Sequence, residues 1–116
     1  MEHVPNDAKA FSELARILRP DGVLVLQVPY ARDCSDTDED PSITDPEERT
    51  RRFGQFDHVR RYGRDIVKRM EQNGLITDVI AVDSFISPDD MVYFDMWNDV
   101  IFASRRFTED RKQGDA

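Results

Sequence analysis

The run Leu18-Arg19-Pro20-Asp21-Gly22-Val23-Leu24-Val25-Leu26-Gln27-Val28 decides the fold class. Pro20 and Gly22 stop any helix that reaches them. Val23 to Val28 is then short, continuous and apolar, the pattern of a strand covered on both faces, as in a parallel sheet. Pro29 ends it. Just upstream, Phe11, Leu14, Ala15 and Leu18 recur at helical spacing and predict one apolar helix face, with Asn6 or Asp7 as the cap. A helix, a breaker and a buried strand in that order point to a layered α/β domain.

The rest of the chain repeats the alternation. Residues 30 to 45 are polar and acidic and read as an exposed loop. Asp45, Pro46, Glu47 and Glu48 form a helix start, Arg49, Arg51 and Arg52 suit its carboxyl end, and Gly54 stands just past it. A second helix is predicted from about Gly63 to Asn73, with Ile66, Val67 and Met70 inward and Gly74 as its stop. Leu75 to Phe85 reads as a strand, Ser87-Pro88-Asp89-Asp90 as a short helix start, and Asp99 to Ser104 as a last strand. Residues 1–107 therefore form one domain. The charged tail 108–116 reads as frayed. Three strands make a small sheet, and more sheet is expected from another segment or a second subunit.

Composition bounds the function. With 116 residues, 39% hydrophobic and 34% charged, the chain suits one small globular domain. No apolar run approaches the roughly 18 residues of a membrane span. The net charge of −8 argues against nucleic acid and anionic membranes as partners. One cysteine, Cys34, cannot close an internal disulfide, which suits a cytoplasmic location. Lysine occurs only at positions 9, 68 and 112, while aspartate is abundant. That balance fits a salt-rich cytoplasm or, equally, a coding bias toward arginine.

Two groups of side chains could carry chemistry. The pair Glu2-His3 could act as acid or base; it could equally cap and pack the start of the first helix. The stretch Phe53-Gly54-Gln55-Phe56-Asp57-His58-Val59-Arg60-Arg61-Tyr62-Gly63 is the densest. Asp57 could orient an imidazole, and Arg60 could clamp a carboxylate or phosphate through its planar fork. The competing reading is a structural turn in which Asp57, His58 and Arg60 pair together. Asp36, Asp38, Asp40 and Glu47 fall at calcium-loop spacing, but Pro41 stands where that loop needs glycine. Met91, Tyr93, Phe94, Met96 and Trp97 suit a core or subunit contact, or an apolar pocket wall. No Cys/His cluster has metal-ligand spacing, so no metal is expected.

Several of these segments together resemble class I S-adenosylmethionine-dependent methyltransferases of the "type 11" kind. The matching residues are Glu2-His3-Val4, Leu18 to Gly22, Glu39 to Arg49 and Phe53 to Gly63, and the likeness runs from Glu2 to about Arg105. It implies the C-terminal half of a Rossmann-like sheet: its fifth, sixth and seventh strands, the last one antiparallel, with flanking helices. The implied activity is methyl transfer from S-adenosylmethionine to a small-molecule acceptor. His58 would be the base, and Arg60, Tyr62, Gln55 and His3 would contact the acceptor. The family's glycine-rich loop and ribose-binding acid match no position here, so the chain alone is expected to be inactive. The alternative is a non-catalytic module that completes a sheet, in a homo-oligomer or with a complementing chain.

Overall fold

The computed structural model describes residues 1–95 and 99–107. Met96, Trp97 and the 108–116 tail lie outside them. The elements are α1 (Asp7–Ile17), β1 (Leu24–Leu26), β2 (Asp38–Glu39), α2 (Pro46–Phe53), β3 (Arg60–Arg61), α3 (Ile66–Gln72), β4 (Leu75–Ala81), a 3-10 turn (Val82–Ser84), α4 (Pro88–Tyr93) and β5 (Val100–Arg106). Among the described residues, no helix is long and apolar enough to cross a membrane.

Local chemistry explains the helix ends. The Asn6 side chain accepts from the Lys9 amide, which makes Asn6 the cap of α1. Asp45 caps α2 through the Glu48 amide, Pro46 starts it, and Gly54 ends it at φ 94°, a backbone that side chains disfavour. Ser87 caps α4 through the Asp90 amide.

The main sheet has the order β1-β5-β4. β5 is antiparallel to both neighbours, with Leu24 opposite Ser104 and Thr77 opposite Ser104 in the two registers. β1 and β4 therefore run parallel to each other, with the last strand between them. The sheet is mixed α/β in its setting, and α1 and α3 pack together on one face of it. Phe11, Ala15, Tyr62, Ile66, Met70, Leu75, Val100 and Phe102 form the core between helices and sheet. At an average transfer gain of about 1.5–3 kcal/mol for each large side chain, this cluster is the main source of stability. Within it, Thr77 and Ser104 hydroxyls meet at 2.8 Å across the strands, so two buried polar groups satisfy each other.

Three sequence expectations change. Val23 to Val28 is not covered on both faces: only Leu24–Leu26 pair as strand, and Val25 is 63% exposed on the face away from the helices. The apolar run reports what the strand could bury, not what covers it. The strand predicted over 75–85 ends at Ala81 and turns into the 3-10 segment. The acidic loop contains β2, whose Asp38 and Glu39 sit opposite Arg61 and Arg60 in an antiparallel pair. The Arg60–Glu39 ion pair across the ladder offsets the β propensity these residues lack. In the aromatic cluster Met91 is buried, whereas Tyr93 and Phe94 are exposed and stack edge to face on each other.

Candidate functional site

The N-terminal segment is tied to the 53–63 stretch by main-chain and side-chain bonds. The Val59 amide donates to the Glu2 carbonyl at 2.7 Å. Arg60, only 3% exposed, donates to the carbonyls of Met1 (2.7 Å), Val4 (2.5 Å) and Pro5 (2.8 Å) and to the Glu39 carboxylate (2.9 Å). The resemblance offered Arg60 as a clamp for an acceptor. Its fork is engaged inside the protein, because three main-chain carbonyls and a carboxylate converge on it.

Tyr62 has a similar fate. It is fully buried, and its hydroxyl donates to Asp7 at 2.8 Å. Burial, and then the bond to Asp7, push the phenol well above its ordinary range. Arg69 completes the network, donating to Asp7 at 3.0 Å and to Glu39 at 2.6 Å. The Arg69 hydrogen bond is the main reason the Glu39 carboxyl lies below its usual value; partial burial opposes it. Arg60 and Tyr62 thus join Asp7, Glu39 and Arg69 in an internal ionic brace, and Arg60 and Glu39 also line a cavity of about 240 Å³ with Pro5, Ile43 and Arg49. Sequence reasoning missed this brace. Its members are spread over positions 7 to 69, and only the fold brings them together.

A second grouping lies on the other side of the same tie. Folding joins the two acid–histidine pairs singled out in the sequence, but crosswise. Asp57 does not orient its neighbour His58; its Oδ2 sits 3.2 Å from His3 Nδ1. Nor do Asp57, His58 and Arg60 pair together. His3 Nε2 lies 3.4 Å from Glu2 Oε1. His58 is buried, with Nδ1 3.3 Å from the Phe53 carbonyl oxygen, so that nitrogen carries the proton. The two imidazoles meet edge to face, 4.7 Å between centroids. Gln55 is exposed and donates to Asp57 at 2.7 Å. Burial acts to raise the Glu2 carboxyl, but its own amide, the Met1 ammonium and His3 outweigh it and hold it below the usual value. The Asp57 carboxyl is also lowered: desolvation opposes this, but the Gln55 hydrogen bond, the charge of His3 and its own amide together outweigh it. Although no metal was expected from spacing, Glu2, His3 and His58 offer three ligand atoms within 4.8 Å of one another.

A groove of about 430 Å³ opens between the segment that follows β1 and the β2–β3 pair. Tyr30 to Cys34 form one wall, and Asp38, Arg52 and Arg61 the other. Gly63 lets this wall close in. A Cβ there would stand 2.5 Å from the Asp36 carbonyl oxygen and 2.9 Å from that of Cys34. Arg52 grips Asp38 with two nitrogens, Nη2 at 2.7 Å and Nε at 3.0 Å, and reaches Asp40 at 3.5 Å. Against the calcium-loop reading, Asp38 is held by Arg52 and Asp40 accepts from Ser42, and among the described residues Asp36, Asp38, Asp40 and Glu47 do not gather as a ligand group. The volume suits a small molecule. None of His3, Gln55, His58, Arg60 and Tyr62 lines the groove. Compared with family models, with curated proteins and with solved structures, this chain finds no match.

Proposed function

We propose that the chain is the acceptor-side part of an S-adenosylmethionine-dependent methyltransferase sheet. The observation that carries the proposal is the topology: the last strand runs antiparallel between two strands that are parallel to each other. That is the orientation the resemblance implies for its final strand. The groove lined by the segment that follows β1 supports the same reading, because open α/β sheets take ligands beyond the carboxyl ends of their strands. The acceptor would be a small polar molecule held against Arg61, Tyr30 and the 31–34 backbone. Catalysis would rest on positioning the acceptor's nucleophilic atom against the methyl group. His58 is not offered as the base, since it is buried with its Nδ1 proton facing the Phe53 carbonyl oxygen and lies outside the groove.

The cofactor's own contacts would come from strands beyond the free edge of β1, supplied by further residues of the same polypeptide or by a complementing chain. The test is calorimetric titration with S-adenosylmethionine. The 116-residue chain should give no saturable heat. A polypeptide extended by the in-frame upstream coding sequence, or coexpressed with the neighbouring reading frame, should bind with ordinary micromolar affinity. Binding by the chain alone, or no binding by any such combination, refutes the proposal.

A further inference from the structure

We propose that Glu2, His3 and His58 form a site for a divalent transition-metal ion of the zinc class. The inference is independent of the methyltransferase reading. It starts from the tautomers. The Phe53 carbonyl can only accept, so His58 Nδ1 is the protonated nitrogen and Nε2 keeps its lone pair. His3 stands between two carboxylates, with Asp57 on Nδ1 at 3.2 Å and Glu2 Oε1 on Nε2 at 3.4 Å. A neutral imidazole can donate to only one of them. With Nδ1 turned to Asp57, Nε2 is the nitrogen beside Glu2 Oε1, and the two atoms are spaced as two ligands of one ion would be. A metal ion would take Glu2 Oε1 and the Nε2 atoms of His3 and His58 as its three protein ligands.

The surroundings match what such sites require. Histidine ligands are oriented by an acceptor on their other nitrogen, and here Asp57 and the Phe53 carbonyl serve. The remaining Glu2 oxygen, Oε2, is 3.3 Å from the Met1 ammonium. The ligand-bearing segments are pinned together by the Val59-to-Glu2 main-chain bond and by the grip of Arg60 on the first five residues. Bonds of about 2.0–2.2 Å to one ion require ligand atoms roughly 3–3.5 Å apart. Glu2 and His3 already hold that spacing, and the 4.8 Å limit of the full set leaves a short closing movement. His3 is 44% exposed at its side chain, so the ion has a route in, and three protein ligands leave a position for water or a small anionic ligand.

His3 and His58 are the chain's only histidines, which makes the test clean. Tag-free protein is titrated with zinc chloride by calorimetry and followed by histidine ring NMR, with Co²⁺ as the visible-absorption probe. The proposal expects one ion per chain, both rings shifting together, and Co²⁺ absorption of a low-coordinate nitrogen site. His3→Ala, at a half-exposed position, should abolish saturable binding while leaving the circular dichroism spectrum unchanged, and Glu2→Gln should do the same. Asp57→Asn should weaken binding by about tenfold to a hundredfold. Asp36→Asn, away from the site, should leave it intact. No saturable one-to-one binding overturns the proposal. Equal affinity in His3→Ala also overturns it.

Discussion

Replacing Arg60 with methionine removes the centre of the brace and tests whether the first residues are held by it. The guanidinium is 3% exposed and makes four hydrogen bonds, three to main-chain carbonyls and one to Glu39. Methionine fills a similar volume but takes this donor from all four acceptors; the Met1 carbonyl keeps the Val4 amide and Glu39 keeps Arg69, while the Val4 and Pro5 carbonyls lose the guanidinium. Removing one partner of a buried pair costs about 3–5 kcal/mol. Summing the four bonds at their separate values would exceed this and would double count, since water reaches some of the freed carbonyls. For a chain of this size each kcal/mol is worth roughly 4 °C in melting temperature, so the expected drop is about 12–20 °C. Urea unfolding followed by circular dichroism gives the free energy directly. Arg60→Lys sharpens the test: one ammonium cannot span three carbonyls and a carboxylate, so lysine should recover less than half of the loss. A cost below about 1 kcal/mol for Arg60→Met would show that the segment is held by other contacts.

Three further outcomes follow from the same geometry. Gly63→Ala should cost about 2–3 kcal/mol by urea unfolding, because the new methyl meets rigid backbone, whereas Gly54→Asn should be tolerated, since that position needs only a positive φ and open space surrounds it. Thr77→Val should cost about 1–3 kcal/mol by stranding the Ser104 hydroxyl, and Thr77→Val with Ser104→Ala should recover part of it; strictly additive losses would deny the pairing. Glu39 has a folded pKa below its unfolded value, so its contribution is present above about pH 4.3 and fades as pH falls through the folded value; Glu39→Gln should flatten the acid limb of stability against pH, and an unchanged limb would place the acid sensitivity elsewhere.

The elements legible in the sequence are those whose signals are local. The cap, first turn and stop of α2 are all set by residues within ten positions of one another, and the helix forms between them. The inward residues of α3 and the last strand were equally legible, because periodicity reports burial on one face. What escaped depends on distance along the chain. Asp57 and His58 are neighbours, yet successive side chains diverge, and Asp57 finds His3 more than fifty residues away. Arg60 and Tyr62 looked like ligand contacts because arginine and tyrosine serve equally well on either side of a surface. Only packing decides, and here both turn inward. Asp38 and Glu39 carried no strand signal, because their partners lie far along the chain: Arg60 opposite Glu39, and Arg52 of α2 on Asp38.

The grip of Arg60 on Met1, Val4 and Pro5 has a consequence for how this region tolerates change. The guanidinium reads carbonyl oxygens, which every amino acid possesses. Substituting Val4 or Pro5 therefore leaves the acceptors in place. Adding or deleting a single residue between Met1 and Asp7 does not, because it moves each carbonyl out of the fork and drags Glu2 and His3 away from Asp57 and His58. The opening segment is thus forgiving of spelling and strict about length.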